Sequence, residues 1–177
     1  MRRLNVDLDA LAEAMDGDTR GVTWYLDAES GALLVVRDEV REELEAIYED
    51  VYGGASAERI LFADALGEWL VPEGMREALI EADRVEQDDG SRFVPVPATD
   101  SRVAYQDLEA FIATVEDGAL QAWLGRAING RGAFRRFKDT LADVPPEHER
   151  WLAFRDARLR ERALAWLRQV GIEAVEG

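Results

Sequence analysis

A chain of 177 residues that is 47% hydrophobic and 33% charged can fold around its own core without staples. It has no cysteine and a single histidine, His148, which excludes disulfides, thiol catalysis, cysteine-built zinc sites and multi-histidine metal centres. Its net charge of −16 is uneven: residues 1–90 carry 8 basic and 24 acidic side chains and residues 91–177 carry 13 of each, so the first half repels polyanions and attracts basic partners.

Taken in chain order, Val6, Leu8, Leu11, Ala14 and Met15 recur at helical spacing and predict a short helix over 6–15. Val22–Leu26 and Ala32–Val36 are β-rich runs around an Asp, Ser and Gly turn, the pattern of a hairpin. Residues 38–52 predict a helix with Val40, Leu44, Ile47 and Val51 on one stripe, ended by Gly53 and Gly54. Ile60–Phe62 reads as a short strand or as part of a helix running to Leu66. A clearer helix spans 73–84, and a turn follows at Asp88, Asp89 and Gly90. Residues 91–97 are extended, and their two prolines suit a sheet edge or a polyproline-like linker.

The remainder predicts helices. Thr99, Asp100 and Ser101 are each competent N-caps for a helix carrying Tyr105, Leu108, Phe111, Ile112 and Val115. A second helix carries Leu120, Trp123, Leu124, Ala127 and Ile128. After the loop Asn129–Gly132, a third is expected to turn Ala133, Phe134, Phe137 and Leu141 to the core. Pro145 and Pro146 interrupt the chain, and a long helix from about Glu147 to Val170 is capped by Gly171. Its expected apolar stripe is Leu152, Leu159, Ala163, Trp166 and Val170. The fold class is α+β: a small antiparallel sheet with flanking helices in an acidic half, 1–90, and a helical half, 91–177, expected to share one core.

Standard sites fail inspection. Asp16–Asp27 has the front of a calcium loop, but Arg20 stands where an oxygen ligand belongs and Asp27 is too short for the bidentate position. No glycine-rich phosphate loop is present, no cofactor is implied, and nothing brings His148 to a serine. No apolar run approaches the roughly 20 residues of a membrane span, and MRRLNVDLDALAEAMD lacks a signal-peptide core, so a cytoplasmic protein is expected.

The densest basic stretch is Gly130–Asp139. Glycines before a helix start, joined by Arg131, Arg135, Arg136 and Lys138, make an anion-receptive place. Trp151, Arg155, Arg158 and Arg162 on the last helix extend it, since aromatic rings beside guanidinium groups can stack bases and hold a phosphate backbone. The competing account is structural: aromatics at i, i+3 spacing pack cores, and the arginines pair with acids of the first half.

Three sets of residues carry a resemblance: Phe93–Pro97 running into Asp100–Phe111, Gly130–Asp139, and Glu149–Asp156 with Ala165–Leu167 and Gly171–Ile172. With the hairpin Trp24–Gly31, they resemble an uncharacterised bacterial family of small acidic proteins. The resemblance implies that 91–172 is one helical unit belonging to the fold, and it brings no activity, cofactor or catalytic residue.

Three functions follow for testing. The first is a non-catalytic protein whose Arg–aromatic surface over 131–162 meets nucleic acid or another polyanion. The second is an adaptor whose acidic residues 38–50 dock a basic protein partner. The third is an enzyme with a small-anion site at the Gly130–Gly132 loop and Asp139 or Asp107 as base.

Overall fold

Two of the shortest elements hold the widest separation in the chain. Strand β1 (Arg2–Asn5) pairs in parallel with β5 (Ile172–Val175), Arg2 facing Ile172 and Asn5 facing Val175. The computed structural model describes residues 1–17, 20–53, 66 and 71–175. The expected element around Ile60–Phe62 lies outside them.

Between those strands run helix α1 (Leu8–Asp16), the hairpin β2 (Val22–Asp27) and β3 (Leu33–Arg37), helices α2 (Asp38–Tyr52) and α3 (Glu73–Glu86), and strand β4 (Phe93–Pro95). Helices α4 (Ser101–Ala113), α5 (Gly118–Ala127), α6 (Ala133–Ala142) and α7 (Pro145–Gln169) follow. The fold is α+β with a helical C-terminal half. No helix among the described residues is long and apolar enough to cross a membrane.

The antiparallel sheet has the order β3-β2-β4, with Leu26 opposite both Leu33 and Val94. Its period of two sends alternate side chains into different cores. Trp24, Leu26, Leu33 and Val94 face Leu11, Ala163, Trp166 and Leu167 of α1 and α7. Tyr25, Leu34, Val36 and Phe93 face Val40, Leu44, Ile47 and Leu79 of α2 and α3. The sheet is therefore covered on both sides. Pro95 lies on the outermost strand, where its missing N–H breaks no ladder.

Asp27 staples the sheet. Its carboxylate takes a bidentate pair from Arg92 at 2.7 and 3.0 Å, and Arg92 also reaches Glu29 at 2.8 Å. These hydrogen bonds hold the Asp27 carboxyl well below the usual carboxylate range. Asp27, already rejected as the last position of a calcium loop, is a buried ion-pair partner.

A third core lies among α4, α5, α6 and the first turns of α7. Phe111, Phe137 and Trp151 meet edge to face, with ring centroids 4.9 to 6.1 Å apart. Asp100 and Asp117 cap α4 and α5 by accepting backbone N–H groups of the first turns. The two prolines open α7 at its first positions, where no N–H is needed, so the helix starts two residues before the expected Glu147.

Three aromatic or aliphatic side chains expected inside are outside. Phe134, Trp123 and Leu152 are 40%, 47% and 39% exposed. On α6 the inward set is Ala133, Phe137, Thr140 and Leu141, and Phe134 sits at its margin. On α7 the buried face shifts along the helix because its partners change: Trp151 packs on α4 and α6, while Ala163, Trp166 and Leu167 pack on α1.

Candidate functional site

The glycine loop is built around an arginine. Gly130 and Gly132 adopt φ of +79° and +75°, a left-handed backbone that side chains resist. The turn converges three carbonyls on the Arg136 guanidinium: Nε donates to Ala127 O at 2.8 Å, Nη2 to Asn129 O at 2.6 Å and Nη1 to Arg131 O. Arg136 therefore gives one N–H from each of its three nitrogens to the carbonyls that end α5 and form the loop after it, so it is committed to holding that turn.

The other six expected site residues divide into two groups. Arg131, Arg135 and Lys138 are exposed; Arg135 lies 3.8 Å from Asp139 one turn on, while Arg131 and Lys138 have no acidic partner among the described residues. Arg155, Arg158 and Arg162, one turn apart along α7, are all paired. Arg155 binds Asp16 at the end of α1. Arg158 Nε donates to Asp107 Oδ1 at 3.1 Å, and Arg162 Nη2 donates to Asp107 Oδ2. Asp107 is only 5% exposed, so one buried carboxylate joins α4 to α7 and serves two guanidiniums. Arg160, with Asp9 at 2.8 Å, adds a second ion pair from α7 to α1. Among the described residues, Arg155, Arg158 and Arg162 pair with acids outside 38–50.

Two clefts flank Phe134. One, of about 320 Å³, is bounded by Asp16, Thr99, Ala104, Asp107, Lys138, Trp151, Arg155, Leu159 and Arg162. The other, shallower and of about 430 Å³, runs past Arg102, Tyr105, Gly130 and Gly132. Ser101 and Phe134 line both, so the ring stands on the ridge between them. No carboxylate lines the second cleft, Asp139 is exposed beside Arg135, and Asp107 is committed to arginines. The acid–base arrangement considered for the glycine loop is not assembled there.

Sequence reasoning placed Phe134 in the core, treated Thr99 as a cap candidate, and named Asp16 and Asp107 for other roles. The nearest signal for Asp107 was the pair Arg158 and Arg162 at i and i+4, like charges whose repulsion a carboxylate between them relieves.

Comparison with known proteins places the chain in a family. The pattern of an uncharacterised protein family, UPF0158, matches residues 73–176. The chain is 30% identical over 174 residues to the UPF0158 protein PA5073 of Pseudomonas aeruginosa, covering 98% of this chain and 88% of that protein. The hairpin and α1 fall outside the family pattern but inside the span shared with that relative. No solved structure matches the chain.

Proposed function

Since the chain belongs to UPF0158, whose description names no activity, we propose a function from its surface: non-catalytic binding of single-stranded nucleic acid across the Phe134 ridge. The observation that carries this reading is the ring itself. Phe134 stands exposed between two clefts, with Arg102 on one side and Lys138 on the other, neither having an acidic partner among the described residues. Arg131 lies in the adjoining loop. An exposed ring stacks any base, and flanking cations neutralise the phosphates that follow it. The paired arginines of α7 add orientation more than free charge, and the acidic first half opposes approach, so the affinity is modest. A cytoplasmic setting, where such strands are met, belongs to this reading.

The test is fluorescence anisotropy of labelled 12-nucleotide RNA and DNA at 25 and 200 mM salt. Neutralising about three phosphates gives a log–log salt slope near −2. Phe134→Ala should weaken binding about tenfold, since stacking contributes about 1–3 kcal/mol per base. No binding at 25 mM salt, or an unchanged Phe134→Ala, overturns the reading.

A second reading rests on α2, whose outer face shows Asp38, Glu39, Glu42, Glu45, Glu49 and Asp50 exposed and without basic partners among the described residues. Such a stripe suits an arginine-rich protein segment. Titration with an arginine-rich peptide tests it, and binding unaffected by Glu42→Lys/Glu45→Lys would exclude the stripe.

A further inference from the structure

We infer that the 320 Å³ cleft between the end of α1 and helices α4, α6 and α7 binds a small ring-bearing anion, a planar body carrying one phosphate or carboxylate. The inference goes beyond the strand reading, because a free ligand of this class would occupy the cleft whether or not a polymer crosses the ridge.

Three features of the cleft specify the ligand. The first is charge: Lys138, Arg155 and Arg162 face Asp16 and Asp107, an excess of one positive charge. Arg162 gives one nitrogen to Asp107, and its other N–H groups have no partner among the described residues. Asp107 thus acts as a positioning residue that fixes the guanidinium and leaves part of its fork available. The second is an orphan hydroxyl. Thr99 Oγ1 is enclosed yet makes no hydrogen bond within the described protein, although it lines the same cleft. Enclosed polar atoms without partners are rare, and a turn of the Thr99 side chain toward the cleft would bring this one to an anion oxygen. The third is the wall: Phe134, Trp151, Leu159 and Ala104 offer a ring face and aliphatic carbon to a planar body. The volume lies at the lower end for small-molecule sites, which sets the size near one nucleotide.

Isothermal titration of the full chain with adenosine 5′-monophosphate and with indole-3-acetate separates phosphate from carboxylate sources. Adenosine and inorganic phosphate are the half-ligand controls. The expected result is saturable binding of at least one complete ligand, at least tenfold tighter than either half. Thr99→Val should weaken it about tenfold, the value of one hydrogen bond to an anion. That variant should unfold at or above the wild-type temperature, since it removes a hydroxyl that bonds nothing. Lys138→Ala should weaken binding by a similar factor without loss of folding. Absence of binding by both ligands at 5 mM, or binding indifferent to Thr99→Val and Lys138→Ala, overturns the inference. RNA binding without ligand binding would refute the cleft and leave the strand reading intact; the opposite pattern would refute the strand reading alone.

Discussion

Replacing Asp107 by Asn keeps the shape of the side chain and removes the one charge that holds Arg158 and Arg162 against α4. Removing one partner of a fully buried ion pair costs about 3–5 kcal/mol. Here the carboxylate is buried, but the arginine side chains remain 44% and 20% exposed, so water can take over part of their solvation. The expected loss is therefore about 2–3 kcal/mol, at or below the lower limit of that range. For a chain of this size it corresponds to a fall in Tm of about 5–10 °C. Urea denaturation followed by tryptophan fluorescence measures it directly, because Trp151 lies in the core that α4 and α7 share. Arg162→Gln should cost less, about 1–2 kcal/mol, since Asp107 keeps Arg158. The double variant should be less destabilised than the sum of the singles, by about 1 kcal/mol, because the two changes remove the same interaction. A loss below about 0.5 kcal/mol for Asp107→Asn, the range of an ordinary surface change, would refute the idea that this carboxylate organises the arginine edge.

Three further outcomes follow from the packing and the staples. Arg136→Ala should destabilise by about 2–3 kcal/mol in urea titrations, because the carbonyls at Ala127, Asn129 and Arg131 lose their donor, whereas Arg135→Ala should stay within about 0.5 kcal/mol. Phe137→Ala empties the centre of the aromatic cluster, where the ring is fully buried, and should cost about 3–5 kcal/mol by the same assay. The Asp27 carboxyl is depressed in the folded protein, so its contribution is fully present above the unfolded value near pH 4 and is lost as pH falls toward the folded value. The stability gap between wild type and Asp27→Asn should accordingly narrow between pH 5 and pH 2.5, and a gap independent of pH would contradict the staple.

What the sequence made legible was local. The cap at Asp100, the apolar period of α2 and α4, and the hairpin at Asp27–Gly31 each state their structure within a few residues. Strands β1 and β5 do not. Arg-Arg-Leu-Asn and Ile-Glu-Ala-Val are too short to show an alternation of their own, and each becomes a strand through the other. The same limit explains the site. A helical wheel places Phe134 beside Phe137 but cannot tell that its margin of α6 is left uncovered. Nor does a count of positive charges reveal that Arg136 is spent on three carbonyls, while Lys138, two residues on, has no acidic partner among the described residues. Partners 51 and 55 residues away decide that Asp107 is buried.

The packing of α1 on α7 sets a schedule for the newborn chain. Leu8, Leu11 and Met15 find their partners on a helix that begins about 130 residues later. At synthesis rates of about 5–20 residues per second, that interval is on the order of ten seconds. Throughout it the helix has little more than the β2–β3 hairpin to lie against. A chain stopped before Ala163 would present the apolar stripe of α1 with no lid, the kind of exposed surface that makes an incomplete chain prone to aggregation.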